Sequence, residues 1–154
     1  YILMQRKPGG YRKPSEEQRK QSKIEKSDFN DWFKQIWNIP GASTKNHPAP
    51  FPLKLASRLV RMFSFYDDIV LDPFCGFGTT MIAALRNGRN SIGIEIDKEY
   101  CRTTAQYLKA ESNNSHMKTK LTFEKITNDI SGNIKVCEYQ SLYKVRSAKK
   151  EMAK

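Results

Sequence analysis

The stretch VLDPFCGFGTTMIAALRNGRNSIGIEID, residues 70–97, decides the fold of this chain. A short apolar run, residues 69–71, predicts a buried strand that ends at Asp72. A glycine-containing turn follows, then a predicted helix over 79–87 and a second predicted strand over 91–95. This alternation is typical of a βαβ unit, in which the two strands are parallel and the crossover is right-handed. We therefore predict an α/β fold built on a parallel sheet.

The turn after the first strand predicts a ligand site. Gly76 and Gly78 lack a Cβ, so the backbone can take positive φ angles and a ligand can lie against the peptide plane. Asp72, at the end of the first strand, can accept hydrogen bonds from an ammonium group, and Glu95, at the end of the second, can accept them from ribose hydroxyls. Glu95 follows Gly76 by 19 residues, a spacing typical of nucleoside-binding Rossmann units.

Two positions around the turn narrow the choice of nucleoside. Met81 stands where a dinucleotide site requires a small residue, which disfavours NAD and FAD. Thr79 follows Gly78 where a triphosphate-binding loop requires lysine. A ligand with an adenosine end and a positively charged amino-acid end remains, and S-adenosylmethionine fits that description. A glycine turn that binds no ligand is the alternative, and a nicotinamide or flavin oxidoreductase is a weaker one.

Further elements are predicted on both sides of this unit from apolar spacing and turn residues. They are a strand end and a surface loop within 1–27, a helix over 28–37 with Asp28 as its N-cap, a helix over 53–63 that begins beside Pro52, a helix from Asp97 to about Glu111, and antiparallel edge strands over 119–126 and 133–143.

The charge of the chain indicates a polyanionic partner. The 154 residues include 27 Lys plus Arg against 16 Asp plus Glu, a net charge of +11. The excess lies at the ends, since residues 1–26 carry 8 basic and 3 acidic side chains and residues 141–154 carry 5 and 1. Basic residues interleaved with an aromatic suit a phosphate backbone, which predicts nucleic-acid contacts at Arg6, Lys7, Tyr11, Arg12 and Lys13. Charged ends that serve solubility alone are the other interpretation.

Composition excludes several classes of protein. No apolar run approaches the roughly 20 residues that a bilayer span requires, so we expect no membrane partner. The 3 cysteines form no CxxC pair and only 2 histidines occur, so neither a disulfide framework nor a metal site is predicted. A reducing cytoplasm is the expected location.

Three motifs in a fixed order resemble one enzyme family. HPAPFP (47–52), VLDPFCGFGTT (70–80) and IGIEID (92–97) are similar to motifs X, I and II of the circularly permuted β-class DNA amino-methyltransferases. These enzymes transfer a methyl group from S-adenosylmethionine to adenine N6 or cytosine N4 in duplex DNA. RKPGGYRKPSEEQR (6–19) is similar to the segment before motif X in some prokaryotic restriction-modification methylases, which tilts the expectation toward N4. The resemblance implies a partial Rossmann-like methyltransferase fold.

The resemblance also assigns roles by position. It implies that the motif I residues form the cofactor loop, that Glu95 holds the ribose, that Asp97 lies near the adenine, and that motif X reaches the methionine end. The residues so implied are Asp72, Pro73, Phe74, Gly76, Gly78 and Thr79 in the loop, and His47, Phe51 and Pro52 in motif X. Phe77 departs from the pattern, because family members often carry a small residue between the two glycines.

The family's catalytic element does not occur in this chain. That element is a (Ser/Asn/Asp)-Pro-Pro-aromatic tetrapeptide, which holds the target amine and stacks on the flipped base, and no such tetrapeptide is present. In the β arrangement it precedes motif X. The resemblance therefore implies a cofactor-binding half without catalytic residues of its own, completed by a second polypeptide or by an N-terminal half.

The same resemblance divides the chain into regions and leaves other functions open. We expect 1–27 to end a target-recognition region, 28–117 to form the cofactor-binding core, and 118–154 to supply C-terminal strands and a basic tail. The alternatives are a non-catalytic S-adenosylmethionine-binding subunit that recognises DNA or regulates, and an RNA methyltransferase.

Overall fold

A parallel pair of strands joined by a helix forms the centre of the fold. The computed structural model describes residues 2–43, 50–114, 119–124 and 144–145. Its elements are α1 (Glu16–Gln21), α2 (Lys26–Trp32), α3 (Leu53–Phe63), β1 (Ile69–Asp72), α4 (Thr79–Arg86), β2 (Asn90–Gly93), α5 (Lys98–Asn114), β3 (Thr119–Lys120) and β4 (Lys144–Val145). β1 pairs with β2 in parallel, with Asp72 opposite Gly93. The predicted mixed α/β fold with parallel strands is confirmed.

Helix α4 carries most of the core. Ala83 packs with Ala56 and Val60 of α3, and its small side chain lets the two helices approach closely. Met81, two residues before Ala83 and nearer the turn, packs instead with Leu108 of α5. Because α4 presents apolar residues to both neighbours, α3, α4 and α5 form one layer beside the sheet.

The sheet has one apolar face that the described helices leave open. Val70 packs into the cluster between α3 and α4. Since side chains alternate along a strand, Ile69 and Leu71 point the other way, and they remain 60% and 59% exposed. A parallel sheet is normally covered on both faces, so this exposure marks a surface that lacks its usual cover within the described residues.

The second predicted helix ends earlier than its apolar pattern suggested. α2 runs Lys26–Trp32 with Glu25 as N-cap, so the prediction of 28–37 capped by Asp28 is wrong. Asp28 lies inside the helix and pairs with Arg61 of α3 at 3.3 Å. After the helix the chain folds back, and Trp37 Nε1 donates to the carbonyl of Trp32 at 2.8 Å. Contacts with α3 therefore override the local pattern.

The N-terminal segment also differs from the prediction. Within the expected surface loop, Ser15 and Gln18 form a capping box that begins the short helix α1. Residues 2–4 form no strand, so the predicted strand end is wrong there. The sequence SEEQ carried the signal for α1, but the helix buries no residue and has no apolar stripe to find.

The remaining boundaries differ by a few residues. The predicted strand over 91–95 lies at 90–93, and the helix begun by Asp97 continues to Asn114. Within the described part of 119–126, the strand covers only Thr119–Lys120, which pairs antiparallel with β4. The predicted strand over 133–143 lies outside the described residues.

None of the helices in the described ranges is both long and apolar enough to cross a bilayer.

We expect replacement of Leu108 by alanine to lower the free energy of unfolding by about 2 to 5 kcal/mol, the usual cost of an internal cavity. Leu108 has 0% exposure and joins α5 to α4. Urea unfolding followed by circular dichroism measures the change. Leu3→Ala is the matched control because Leu3 is 91% exposed. Equal losses in the two variants would contradict this core.

Candidate functional site

The turn between β1 and α4 is built on two left-handed glycines. Gly76 has φ +51° and Gly78 has φ +75°, and Gly78 is also the N-cap of α4. The amide of Gly78 donates to the Cys75 carbonyl at 2.7 Å, and the amide of Cys75 donates to the Ile94 carbonyl at 3.0 Å. The turn is thus closed on itself and tied to the end of β2.

The Glu95 carboxylate faces this turn. Its Oε2 accepts from the amide of Gly76 at 2.8 Å. Its Oε1 accepts from the amides of Ile96 at 2.8 Å and Asp97 at 2.9 Å. A carboxylate offers about four acceptor positions, so about one remains, on Oε2. The side chain is therefore held in place before any ligand arrives and still has an acceptor to offer.

Asp72 lies at the carboxyl end of β1, partly exposed, on the same side of the sheet as the turn. Its Oδ1 accepts from the amide of Phe74 at 3.1 Å, which fixes the start of the turn. The amide of Ile94 donates to the Asp72 carbonyl at 2.9 Å, so the ends of the two strands stay in register. Asp72 and Glu95 consequently border the same bend.

The electrostatics of the bend favour a cation. Burial, followed by the negative charges of Asp72 and Glu95, raises the pKa of the Cys75 thiol to about 12. The thiol therefore stays protonated at neutral pH and is not a nucleophile. The negative charges of Asp72 and Glu95 beside the turn would stabilise a positively charged ligand there.

The bulky residue between the glycines packs against α5. The ring of Phe77 lies edge-on to Tyr100, with centroids 4.8 Å apart, and to Tyr107, with centroids 6.3 Å apart. The departure from the family pattern is thus accommodated by two aromatic side chains of α5.

Thr104 of α5 is a contact that the sequence did not indicate. Its hydroxyl donates to the carbonyl of Gly76 at 2.7 Å, across 28 residues. A lone threonine in a helix carries no pattern that would place it beneath a turn so far away in sequence.

The other predicted cofactor residues take varied positions. Oδ1 of Asp97 accepts from the amides of Glu99 and Tyr100, so this exposed residue caps α5. Thr79 begins α4. Pro73 and Phe74 are exposed in the turn.

Of motif X (47–52), residues 50–52 lie within the described ranges. Pro52 is the N-cap of α3, and Phe51 before it is 39% exposed. No hydrogen bond among the described residues joins either of them to the turn. His47 lies outside the described residues.

The predicted basic contacts lie in an exposed segment before α1. The guanidinium of Arg6 lies 4.4 Å from the ring centroid of Tyr11, and Lys7 and Lys13 are exposed. Arg12 forms an ion pair with Asp68 and also donates to Gln18 at 3.0 Å. Its charge is therefore partly compensated, which makes it the weakest phosphate contact of the set.

The described ranges hold no group of three or more His, Cys, Asp or Glu side chains arranged to bind a metal ion.

Comparison with known proteins gives the class. The family model for N6/N4 DNA methylases, described as DNA methylase, matches residues 1–106. This chain therefore belongs to the N6/N4 DNA methylase family.

Its relatives include type II DNA-modifying enzymes of prokaryotes. The chain is 47% identical over 106 residues to type II methyltransferase M.MjaI of Methanocaldococcus jannaschii, covering 64% of this chain and 34% of that protein. It is 44% identical over 111 residues to type II methyltransferase M.MthZI of Methanothermobacter thermautotrophicus, covering 65% and 31%. The chain thus spans about a third of the length of these curated relatives.

A solved structure shares the fold. TTHA0409 of Thermus thermophilus, solved as a candidate DNA modification methylase, matches with a TM-score of 0.64 at 55% identity, over 72% of this chain and 44% of that one. The same protein solved in complex with S-adenosyl-L-methionine matches with a TM-score of 0.60 at 51% identity, over 69% and 41%.

We expect Glu95→Gln to lower the free energy of unfolding of the free chain by about 1 to 3 kcal/mol. The side-chain NH₂ of glutamine would face at least one of the backbone amides that now donate to the carboxylate. Two donors cannot form a hydrogen bond with each other, so that bond would be lost. Differential scanning calorimetry without ligand measures the change. Glu99→Gln is the control, because Glu99 is exposed and its partner among the described residues is Arg102 of the same helix. A Glu95→Gln chain as stable as the control would contradict the bonding described for the turn.

Proposed function

We propose that this chain is the S-adenosylmethionine-binding portion of a site-specific DNA methyltransferase of a restriction-modification system. The whole enzyme would methylate cytosine N4 or adenine N6 in duplex DNA, and the similarity of residues 6–19 to a segment of some restriction-modification methylases favours cytosine N4. The observation that carries the proposal is the Glu95 carboxylate held over a bend in which Gly76 and Gly78 lack a Cβ. Family membership and a relative solved with S-adenosyl-L-methionine support it.

The residues of the bend fit this cofactor. Asp72 would accept a hydrogen bond from its ammonium group, and the negative charges of Asp72 and Glu95 would favour its sulfonium. The free acceptor on Oε2 of Glu95 would take one ribose hydroxyl, and a second hydroxyl would share an acceptor position with the amide of Ile96 or Asp97. S-adenosylmethionine supplies an electrophilic methyl group when bound, and this chain contributes alignment rather than proton transfer.

The three motifs also assign the remaining cofactor contacts. We assign the cofactor loop to Pro73, Phe74, Gly76, Gly78 and Thr79, the adenine side to Asp97, and the methionine end to His47, Phe51 and Pro52. The region from 28 to 117 would form this core, with 118–154 as an appended edge.

DNA would be contacted by the basic segment in 1–27. Arg6, Lys7, Tyr11 and Lys13 are exposed there, and an arginine stacked on a tyrosine offers both charge and a planar surface to a nucleic acid. Arg12 belongs to the same segment. We locate the activity in the prokaryotic cytoplasm, where the chromosome lies.

Catalysis would require a further segment, in the same or a second polypeptide, that carries the Pro-Pro-aromatic tetrapeptide. β1 pairs only with β2 among the described residues, so its other edge can accept a strand. Ile69 and Leu71 offer an apolar face beside that edge. The occupant we assign is the part of a family member that this chain does not span, about two thirds of the length of the curated relatives.

The cofactor assignment predicts selective binding. We expect the chain to bind S-adenosylmethionine and not NAD in equilibrium dialysis, and Glu95→Ala to weaken binding about tenfold or more through loss of a charged hydrogen-bond acceptor. Glu99→Ala, on the exposed side of α5, should bind like the parent chain. Retention of NAD instead would overturn the assignment.

The partner assignment predicts that Leu71→Asp abolishes complementation. The parent chain, mixed with the part of M.MjaI outside the matched region, should form a complex in analytical ultracentrifugation and methylate duplex DNA. The Leu71→Asp chain should do neither, because a buried unpaired carboxylate is costly.

Ile36→Asp is the control for this experiment, since Ile36 is 85% exposed and belongs to the segment after α2, outside β1 and β2. Equal binding by both variants would contradict the docking surface. Methylation by this chain alone would show that no partner is needed, and methylation of RNA rather than DNA would contradict the substrate.

A further inference from the structure

One face of α5 holds three successive residues of the turn. Tyr100, Thr104 and Tyr107 are spaced i, i+4 and i+7 and therefore lie on the same side of the helix. The two tyrosines hold the ring of Phe77. Thr104 lies between them, 3% exposed.

Thr104 holds both neighbours of Phe77, each with a different atom. Its hydroxyl donates to the carbonyl of Gly76 at 2.7 Å. Its methyl group packs beneath Gly78, so closely that a Cβ on Gly78 would lie 2.6 Å from Cγ2 of Thr104.

The hydroxyl completes the fixation of the Gly76 residue. The amide of Gly76 donates to Glu95, and its carbonyl accepts from Thr104. Glycine has the largest conformational freedom of any residue, so a turn with two glycines loses the most entropy when a ligand orders it. A turn already held at both ends of the Gly76 residue loses less.

We infer that Thr104 is a positioning residue for the cofactor turn: its hydroxyl sets cofactor affinity by holding Gly76 in the left-handed conformation before binding. The inference rests on the proposed function for its ligand, S-adenosylmethionine. Thr104 is buried and bonds the Gly76 carbonyl, so it would act on the cofactor through Gly76 and not by direct contact.

Two substitutions separate the hydroxyl from the methyl group. Thr104→Val keeps the methyl contact with Gly78 and removes the hydrogen bond to Gly76. Thr104→Ser keeps the hydroxyl and removes the methyl group. If Thr104 only stabilised the fold, the stability and the cofactor affinity of the two variants would fall together.

We expect cofactor affinity and stability to respond differently to the two substitutions. In isothermal titration with S-adenosylmethionine, Thr104→Val should bind about threefold to tenfold more weakly, the range of one neutral hydrogen bond. Thr104→Ser should restore binding to within about twofold of the parent chain. In urea unfolding without ligand, Thr104→Ser should nevertheless be less stable than the parent chain, because it leaves a cavity beneath Gly78.

Amide hydrogen exchange in the free protein gives a readout that needs no cofactor. The Gly76 and Gly78 amides should exchange faster in Thr104→Val than in the parent chain or in Thr104→Ser. If the parent chain fails to bind S-adenosylmethionine while this difference persists, the cofactor assignment is wrong and the turn-holding role stands. Parent-like affinity and exchange in Thr104→Val, or affinity that follows stability in both variants, would overturn the inference.

Discussion

The hydrogen bond from the Gly76 amide to Glu95 joins the two strand ends on which the site depends. Parallel pairing puts Asp72 opposite Gly93, so the segments after β1 and β2 leave the sheet at the same edge. Glu95 then bonds across the gap to Gly76 at 2.8 Å and to two amides of its own segment. A change in sheet register would move the carboxylate away from the turn, which couples the fold directly to the site.

The βαβ unit was predictable because its signals are local. An apolar run, two glycines and a helical period all lie within residues 69–95, and each element forms where its own sequence favours it. The position of Glu95 followed from the same local order. The packing of Phe77 was not predictable from local sequence, because the tyrosines that contact its ring are 23 and 30 residues further along the chain.

The misjudged elements share a different cause, which is contact between distant segments. α2 ends at Trp32 because its acidic and aromatic side chains turn toward α3. The guanidinium of Arg58 lies 5.5 Å from the ring centroid of Trp32 and 4.8 Å from that of Trp37, and it pairs with Asp31 at 3.4 Å. Such cation–π stacking substitutes for an apolar interface between the two helices. Apolar spacing alone places both tryptophans in one helix, whereas only Trp32 belongs to α2 and Trp37 lies beyond its end, stacked on Arg58.

The exposed apolar residues of β1 affect how copies of this chain interact with one another. Among the described residues, the edge of β1 opposite β2 has no strand partner, and such an edge beside Ile69 and Leu71 is a template for strand pairing between identical molecules. A net charge of +11 opposes that encounter by mutual repulsion, and more strongly at low ionic strength. The basic composition thus opposes self-association of this chain, and raising the salt concentration in a purification buffer would weaken that repulsion.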